Sequence, residues 1–225
     1  MKSKSKLDYL SILYSRQEKP KTNYPSKLSR YIFDNFIKKK HKSLLEIGCG
    51  NCDMLNEFSL LGLKVQGTDI VESAGHEYPD IKVIENDIEK DGLPFEKNKF
   101  DIIFSKSVVE HIYNPEVFFK ETFKVLKRNG ILITLTPDWE VQKNKFFDDW
   151  THKTPFTKVT MKRLYTISGF SDVRVNYLKP LPILWNSTFL YKLSNLLAPF
   201  IKEREQSKLR WVRERQILGV GVKIK

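Results

Sequence analysis

Short apolar runs alternate with helical stretches through the middle of this chain, and this alternation limits its possible folds more than any other feature. The runs are typical of strands and lie at residues 43–47, 64–68, 82–85, 100–105 and 131–135. The run 131–135 is almost continuously apolar, as expected of a strand that is buried on both faces. Strands that alternate with helices predict an α/β fold with a mostly parallel sheet and helices on both faces.

Two more strands are predicted after this parallel series. Residues 172–178 and 217–225 follow a helical stretch at 158–168, and they would complete a seven-stranded sheet. The connection 179–216 is much longer than an antiparallel pair needs, so we interpret it as an insertion.

The chain before the first strand is predicted to be helical. An amphipathic helix is expected at 24–40, where Leu28, Ile32 and Phe36 share a face, and residues 7–15 favour a shorter one. The resulting organisation is an N-terminal helical cap (1–42), a core (43–178), an amphipathic basic insertion or cap (179–216) and the final core strand (217–225).

Charge is distributed unevenly along the 225 residues, whose net charge is +12. Residues 43–140 carry 10 Lys/Arg against 18 Asp/Glu, while residues 1–42 carry 12 against 3 and residues 141–225 carry 17 against 6. Basic ends attract anions, although solvated lysines explain them equally well. Two cysteines and no long apolar run near the start predict a cytoplasmic protein without a disulfide framework.

A glycine-containing turn follows the first strand in Leu-Leu-Glu-Ile-Gly-Cys-Gly-Asn, residues 44–51. Glycines at such a turn let the backbone approach a ligand closely. The dinucleotide fingerprint is absent because Asp53 stands at its third glycine position. Glu46 and Asp53 would repel a pyrophosphate, so they favour a cationic ligand such as S-adenosylmethionine (SAM).

Polar side chains follow the next strands at the same edge of the predicted sheet. Asp69 ends the second strand, where doubly wound folds place a carboxylate on a ribose diol. Asp87 follows the third strand, and Ser105 ends the fourth. The carboxyl ends of parallel strands meet in one crevice, so these groups are expected to share a site.

Six segments in this order resemble the successive motifs of class I SAM-dependent methyltransferases of the small-molecule type. They are residues 46–50, 67–69, 86–88, 100–105, 108–112 and 125–137. The resemblance covers residues 43–137 and implies the Rossmann-like fold of that class, with SAM as cofactor and S-adenosylhomocysteine as product. Cys52 departs from the pattern, because a third glycine commonly stands there.

The resemblance also implies roles for individual residues. Glu46, Gly48 and Gly50 would line the methionine part of SAM, and Asp69 would hold the ribose hydroxyls. Asp87 and the Ile88 amide would hold adenine, with Ser105 beside the methionine moiety and Cys49 and Ile70 as further cofactor contacts.

A catalytic role is predicted for His152, which follows the fifth strand where the acceptor should enter. Oriented by Asp148 or Asp149, it could take a proton from an acceptor hydroxyl, or it could simply pin the loop. His111 has the same two interpretations. No metal is predicted, because the pair Cys49 and Cys52 lacks further ligands.

The acceptor is predicted to be a small or glycan-like molecule, anionic and methylated on a hydroxyl. The Asn/Asp-Pro-Pro-Tyr/Phe motif that suits amino groups is absent after the fourth strand, where Lys106 stands. The insertion and the loop after the fifth strand resemble those of methyltransferases in bacterial surface-polysaccharide pathways. Nucleic acid is not expected as a partner; an RNA or protein methyltransferase and a non-catalytic partner subunit are the alternatives.

The insertion carries an apolar stripe of Trp185, Phe189, Leu193, Leu196 and Phe200 ahead of a basic stretch. This pattern fits either a cap over the acceptor pocket or a peripheral contact with an anionic membrane at the inner surface. The pattern does not predict an oligomeric state.

Overall fold

The computed structural model describes residues 15–17, 20–71, 77–202, 207 and 209–224. Helices alternate with strands, as the sequence predicts. The elements are α1 Tyr24–Phe36, β1 Ser43–Ile47, α2 Asp53–Leu60, β2 Lys64–Asp69, β3 Val83–Glu85, α3 Ile88–Asp91, β4 Phe100–Lys106, α4 Pro115–Val125, β5 Leu126–Pro137, α5 Trp139–Gln142, α6 Lys158–Ile167, β6 Ser171–Leu178, α7 Thr188–Leu197, α8 Arg210–Arg213 and β7 Gln216–Val222. Short 3₁₀ turns lie at Val109–His111, Phe146–Asp148, Pro182–Leu184 and Ala198–Phe200.

The seven strands form one sheet in the order β3-β2-β1-β4-β5-β7-β6. The first five are parallel, and β7 runs antiparallel to both β5 and β6. The Rossmann-like α/β prediction is therefore confirmed. The chain order reverses between β1 and β4, and ligands bind at such a switch point in open α/β sheets.

Several element boundaries differ from the sequence predictions. The fifth strand begins at Leu126, earlier than 131, because Leu126 already pairs with Phe100 ahead of an irregularity in the register. The last strand ends at Val222. The predicted helix 7–15 lies outside the described residues, except for Ser15.

Two apolar layers cover the two faces of the sheet. On one face, α1 and α2 pack on β1 and β4, and the rings of Phe58 and Phe104 meet edge-on at 5.3 Å. On the other face, α4 and α6 bring Phe119 and Tyr165 together at 4.9 Å. Each face therefore has the apolar cover that the continuous strand runs require.

The insertion 179–216 leaves and rejoins the sheet at its carboxyl edge. Leu178 at the end of β6 pairs with Gln216 at the start of β7, and Gln216 pairs with Pro137 at the end of β5. The insertion therefore lies at the same edge as the ends of the parallel strands.

The inner side of the insertion is anchored by Trp185, whose ring lies 5.0 Å from that of Tyr31 on α1. The buried Lys179 ammonium donates to Ser194 Oγ and the Val212 carbonyl, at 2.9 and 2.6 Å. The outer side exposes large apolar side chains on α7 and the turn after it, namely Phe189, Leu193, Leu196, Leu197 and Phe200. None of the described helices is long and apolar enough to cross a membrane.

We expect Tyr165→Phe to destabilise the fold without disturbing the shape of the core. The buried hydroxyl of Tyr165 lies 3.0 Å from both Thr134 Oγ1 and the Gly219 carbonyl oxygen. Its loss should lower the free energy of unfolding by about 1–2 kcal/mol, as measured by urea denaturation. The exposed Tyr113 provides the control, and Tyr113→Phe should stay within about 0.5 kcal/mol of wild type. Equal effects of the two substitutions would contradict the stabilising role of the Tyr165 hydroxyl.

Candidate active site

The turn after β1 approaches the turn after β4 so closely that only glycine fits at position 48. Gly48 has a φ of +72°, and a Cβ built there would lie 2.2 Å from Cγ2 of Val108. The left-handed backbone at position 48 and the lack of space for a side chain there both require glycine. These two turns flank the switch point of the sheet, so their contact forms the floor of any site there.

Backbone amides of this turn are held by the end of β2. The amides of Gly48 and Cys49 donate to the Thr68 carbonyl at 2.8 and 3.2 Å. The Gly50 amide donates to Oδ2 of Asp69 at 2.8 Å, and the other oxygen of that carboxylate accepts from the Val71 amide at 3.0 Å. Asp69 therefore bridges the turns after β1 and β2.

One cavity of about 350 Å³ crosses the carboxyl ends of the five parallel strands. Its donor end, as we call the half beside β1, β2 and β3, is lined by Ile47, Gly48, Asp69, Ile70, Asp87 and Ile88. Its acceptor end, beside β4 and β5, is lined by Glu110, His111, Ile112, Pro137, Thr151 and His152. The volume suits a small-molecule ligand.

The predicted adenine residues lie on the wall of the donor end. Asp87 caps α3, where its Oδ1 accepts from the Glu89 amide at 3.2 Å and its Oδ2 pairs with Lys90 at 2.8 Å. Asn86 was missed by the sequence analysis. Its Oδ1 is buried without a hydrogen-bond partner among the described residues, and it lies beside the cavity.

Glu46 is buried behind the donor end rather than on its wall. One of its carboxylate oxygens has no hydrogen-bond partner among the described residues. Burial, with a smaller contribution from the neighbouring Cys52, raises the pKa of Glu46 well above its ordinary value, while Lys106 opposes the shift. An unpartnered carboxylate oxygen suits a cation or a hydrogen-bond donor on a ligand.

Three predicted cofactor residues, Cys49, Gly50 and Ser105, do not lie on the cavity wall. The Ser105 hydroxyl donates to the Ile47 carbonyl at 3.1 Å and joins β1 to β4. Strand β4 continues to Lys106, one residue beyond the predicted end, so Ser107 and Val108 take the wall position instead. Ser105 therefore lies off the cavity wall, and its place beside the methionine moiety stays a prediction.

Asp53 also differs from expectation, because a cation of the chain itself occupies it. The guanidinium of Arg16 donates to both of its oxygens at 2.7 Å, and the Tyr78 hydroxyl donates at 2.9 Å. Arg16 also pairs with Glu77 at 2.6 Å. No local pattern connects Arg16 to Asp53, so the sequence could not predict that Asp53 is already neutralised.

His152 lines the acceptor end of the cavity. Its Nδ1 is 2.6 Å from the Phe146 carbonyl oxygen, and its Nε2 is 3.9 Å from Oδ2 of Asp149. A carbonyl only accepts, so Nδ1 carries a hydrogen, and in the neutral imidazole Nε2 then carries the lone pair.

His111 lies beside it, with the two imidazole centroids 4.7 Å apart. The hydroxyl of Thr151 donates to Asp149 at 2.6 Å and lies 2.9 Å from Nδ1 of His111. Because its proton is used on Asp149, the Thr151 oxygen accepts from Nδ1 of His111. His111 therefore has the same tautomer as His152, with the lone pair on Nε2.

Glu110 completes this end of the cavity and was missed as a functional residue, although its segment was recognised. The side chain is fully buried, and one oxygen accepts from Thr136 Oγ1 at 2.9 Å. The other oxygen has no hydrogen-bond partner among the described residues. Burial raises the pKa of Glu110 to about 7.

Glu110, His111 and His152 each offer one ligand atom, and these three atoms lie within 4.8 Å of one another. Within the described parts of the chain, these three side chains form the cluster of His, Cys, Asp or Glu that could hold a metal ion. The thiols of Cys49 and Cys52 are both buried, and they do not belong to that group.

The segment after β5 that carries His152 is fastened to the end of the insertion. Arg215 pairs with Asp138 and, at 2.7 Å, with Glu140, while Lys145 pairs with Glu214 at 2.7 Å. The described residues of the insertion do not line the cavity. Through these ion pairs the described part of the insertion contacts the loop after β5 without lining the cavity.

Sequence comparison matches residues 45–134 to a family described as a methyltransferase domain. A ubiquinone biosynthesis O-methyltransferase of Pelagibacter ubique is 32% identical over 133 residues, which cover 52% of this chain and 55% of that protein. Phosphoethanolamine N-methyltransferase 2 of Caenorhabditis elegans is 26% identical over 60% of this chain and 32% of its own length. The chain thus spans about half the length of the ubiquinone-pathway relatives, or less.

Solved structures share the fold at low sequence identity. A methyltransferase of Haloferax volcanii, solved with the Trm112 activator, gives a TM-score of 0.75 at 13% identity over 97% of both chains. A SAM-dependent methyltransferase from Archaeoglobus fulgidus gives 0.68 at 19% identity over 95% of this chain and 99% of that one. These similarities establish the fold.

We expect Gly48→Ala to lower the affinity for S-adenosylhomocysteine by about tenfold or more, because the new methyl group forces Val108 or the turn out of place. Gly62→Ala is a matched control, since Gly62 has a φ of +89° with no atom within 4 Å of the added carbon. Both substitutions should cost about 1–2 kcal/mol of stability through the left-handed backbone, but only Gly48→Ala should lose affinity. Calorimetric titration measures the affinity, and thermal melting measures the stability. Equal affinities of the two variants for S-adenosylhomocysteine would contradict the placement of Gly48 at the binding site.

Proposed function

We propose that this chain, in which residues 45–134 match a methyltransferase domain, is a class I SAM-dependent methyltransferase that transfers a methyl group from SAM to a hydroxyl of a small-molecule acceptor. The single observation that carries this proposal is the cavity that joins a carboxylate-lined donor end to a histidine-lined acceptor end. The donor end carries residues to which the resemblance assigns SAM contacts, and the acceptor end has groups that can hold a hydroxyl.

The charges at the donor end suit SAM. Asp69 and Asp87 lie on its wall, and one oxygen of the buried Glu46 has no hydrogen-bond partner in the described part of the chain. SAM carries a sulfonium and an ammonium, so carboxylates stabilise its binding where they would oppose a pyrophosphate. The carboxylate of Asp69 is already fixed by two backbone amides, which orient it before a ribose hydroxyl arrives.

The acceptor end supports methylation of oxygen. In the reaction, the acceptor oxygen attacks the methyl carbon, the carbon–sulfur bond breaks onto sulfur, and the hydroxyl proton leaves. Nε2 of His152 carries a lone pair that can accept a hydrogen bond from this hydroxyl and hold its oxygen in line. Six of the curated relatives are named as ubiquinone biosynthesis O-methyltransferases, which supports oxygen over nitrogen.

We expect His152→Ala to leave the affinity for S-adenosylhomocysteine unchanged and to lower turnover by roughly 100-fold. Affinity is measured by calorimetry, and turnover by S-adenosylhomocysteine release with phenolic and sugar hydroxyl acceptors. Asp148→Asn is the matched control, because Asp148 is exposed in the same loop and does not line the cavity. Wild-type protein that fails to bind S-adenosylhomocysteine would contradict the methyltransferase proposal, and unchanged turnover in His152→Ala would contradict the role of His152.

A small-molecule acceptor has more support than a glycan-like, anionic one. The charged residues on the described cavity wall are carboxylates and histidines, without Lys or Arg. An anionic group of the acceptor would therefore have to lie outside the cavity, against the basic flanks. The surface-polysaccharide pathway, methylation of RNA or protein, and a non-catalytic partner role stay predictions that the acceptor screen addresses.

We also propose that the outer side of the insertion touches an anionic membrane surface. Phe189, Leu196 and Phe200 are 73%, 68% and 82% exposed. The exposed Lys192 lies between the first two in the chain, and the exposed Lys202 follows the third. Exposed apolar side chains beside cations are typical of helices that lie in the lipid interface. The described helices do not span a bilayer, so the contact would be peripheral.

Co-sedimentation with vesicles tests this contact. Vesicles of phosphatidylglycerol should retain the protein at low salt, and release it as salt rises because the electrostatic part is screened. The double substitution Leu196→Ser and Phe200→Ser should abolish retention. Leu60→Ser on α2 is the control, since Leu60 is 74% exposed on another element. Absence of binding at low salt, or equal retention of all three proteins, would rule the contact out.

A further inference from the structure

We infer that Glu110, His111 and His152 form a binding site for one divalent first-row transition metal ion at the acceptor end of the cavity. The inference rests on the proposed methyl transfer for its function, but not for its geometry. One carboxylate oxygen and one nitrogen of each histidine lie within 4.8 Å of one another. Ions of this class bind nitrogen and oxygen at about 2.0–2.2 Å, so small side-chain movements bring all three into coordination.

The two histidines are held in the tautomer that a metal ligand needs. Nδ1 of His152 donates to the Phe146 carbonyl, and Nδ1 of His111 donates to Thr151, whose own proton is fixed by Asp149. Both rings therefore present the Nε2 lone pair. Metal-binding histidines commonly use their second nitrogen in this way, on a carbonyl or on a group linked to a carboxylate.

Glu110 supplies a second observation that points to a ligand. Its side chain is fully buried on the cavity wall, yet one oxygen has no hydrogen-bond partner among the described residues. The Thr136 hydroxyl fixes the other oxygen at 2.9 Å. A buried carboxylate oxygen without a partner is costly, and a bound cation would remove that cost.

The composition of the site favours a transition metal over magnesium or calcium. Two imidazoles with one carboxylate suit Zn²⁺, Co²⁺ or Fe²⁺, whereas Mg²⁺ and Ca²⁺ prefer oxygen ligands. Three protein ligands leave coordination positions open toward the cavity, as in catalytic sites. An acceptor hydroxyl in such a position is held by the ion and loses its proton to water more readily. Its oxygen then attacks the methyl carbon as the carbon–sulfur bond breaks.

With the ion bound, Nε2 of His152 coordinates the ion, and the ion holds the acceptor hydroxyl in place of the direct hydrogen bond from the hydroxyl to His152. Acceptors with two neighbouring hydroxyls fit best, because both oxygens can occupy open positions on one ion. The ligands come from the 3₁₀ turn after β4 and from the loop after β5, which the backbone links directly. The amides of Lys153 and Thr154 donate to the Glu110 carbonyl at 2.7 and 3.0 Å.

Titration of chelator-treated protein with Co²⁺ tests the site by visible absorption and by equilibrium dialysis. We expect one bound Co²⁺ per chain and its displacement by Zn²⁺. Glu110→Gln and His152→Gln should each weaken binding by more than about tenfold, and Thr151→Val should weaken it by about tenfold through the orientation of His111. Asp148→Asn, in the same loop but outside the site, should bind as wild type.

Calorimetry with S-adenosylhomocysteine on the same preparations serves as the folding check, because the donor end does not include these residues. Variants that bind S-adenosylhomocysteine normally but lose Co²⁺ support the site. No stoichiometric Co²⁺ in the wild type, or equal Co²⁺ affinity in wild type, Glu110→Gln and His152→Gln, overturns it. Co²⁺ binding by protein that fails to bind S-adenosylhomocysteine contradicts the proposed methyl transfer and leaves the metal site standing.

Discussion

The carboxylate of Asp69 fixes the turn after β1 to the end of β2, and the whole cavity depends on this contact. By accepting from the amides of Gly50 and Val71, it uses both of its oxygens to hold backbone in place. Gly48 can then lie against Val108 from the turn after β4. The strands β1 and β4 are neighbours here, but the chain order reverses between them, so this contact joins the turns of the two halves across the switch point.

The two ends of the cavity carry different side chains because they come from different halves of the sheet. Turns after β2 and β3 bring Asp69 and Asp87, whereas segments after β4 and β5 bring His111 and His152. A sulfonium donor is attracted to the carboxylates and loses its positive charge when the methyl group leaves. The same carboxylates then hold the neutral thioether less strongly, which favours release of the product after transfer.

The sequence predicted the fold well because the buried parallel strands are short apolar runs and each turn after them carries a recognisable polar residue. It placed Asp69, Asp87, Ile88 and His152 on the cavity correctly. It did not indicate that the fourth strand extends to Lys106, or that the Ser105 hydroxyl donates to the Ile47 carbonyl away from the cavity wall. It also missed Arg16, Glu110 and Asn86, whose importance arises from burial and long-range contacts that no periodicity reports.

The ion pairs between the loop after β5 and the end of the insertion have a consequence for how such enzymes diversify. Arg215 joins Asp138 and Glu140, and its guanidinium lies 3.8 Å from the ring centre of Tyr177 on β6. Three segments distant in the chain therefore share one set of charges. A chimera that exchanges the insertion alone leaves Asp138 buried without its cation, which is destabilising. The loop after β5 and the insertion should thus be inherited together, and a chimera should exchange both of them as one unit.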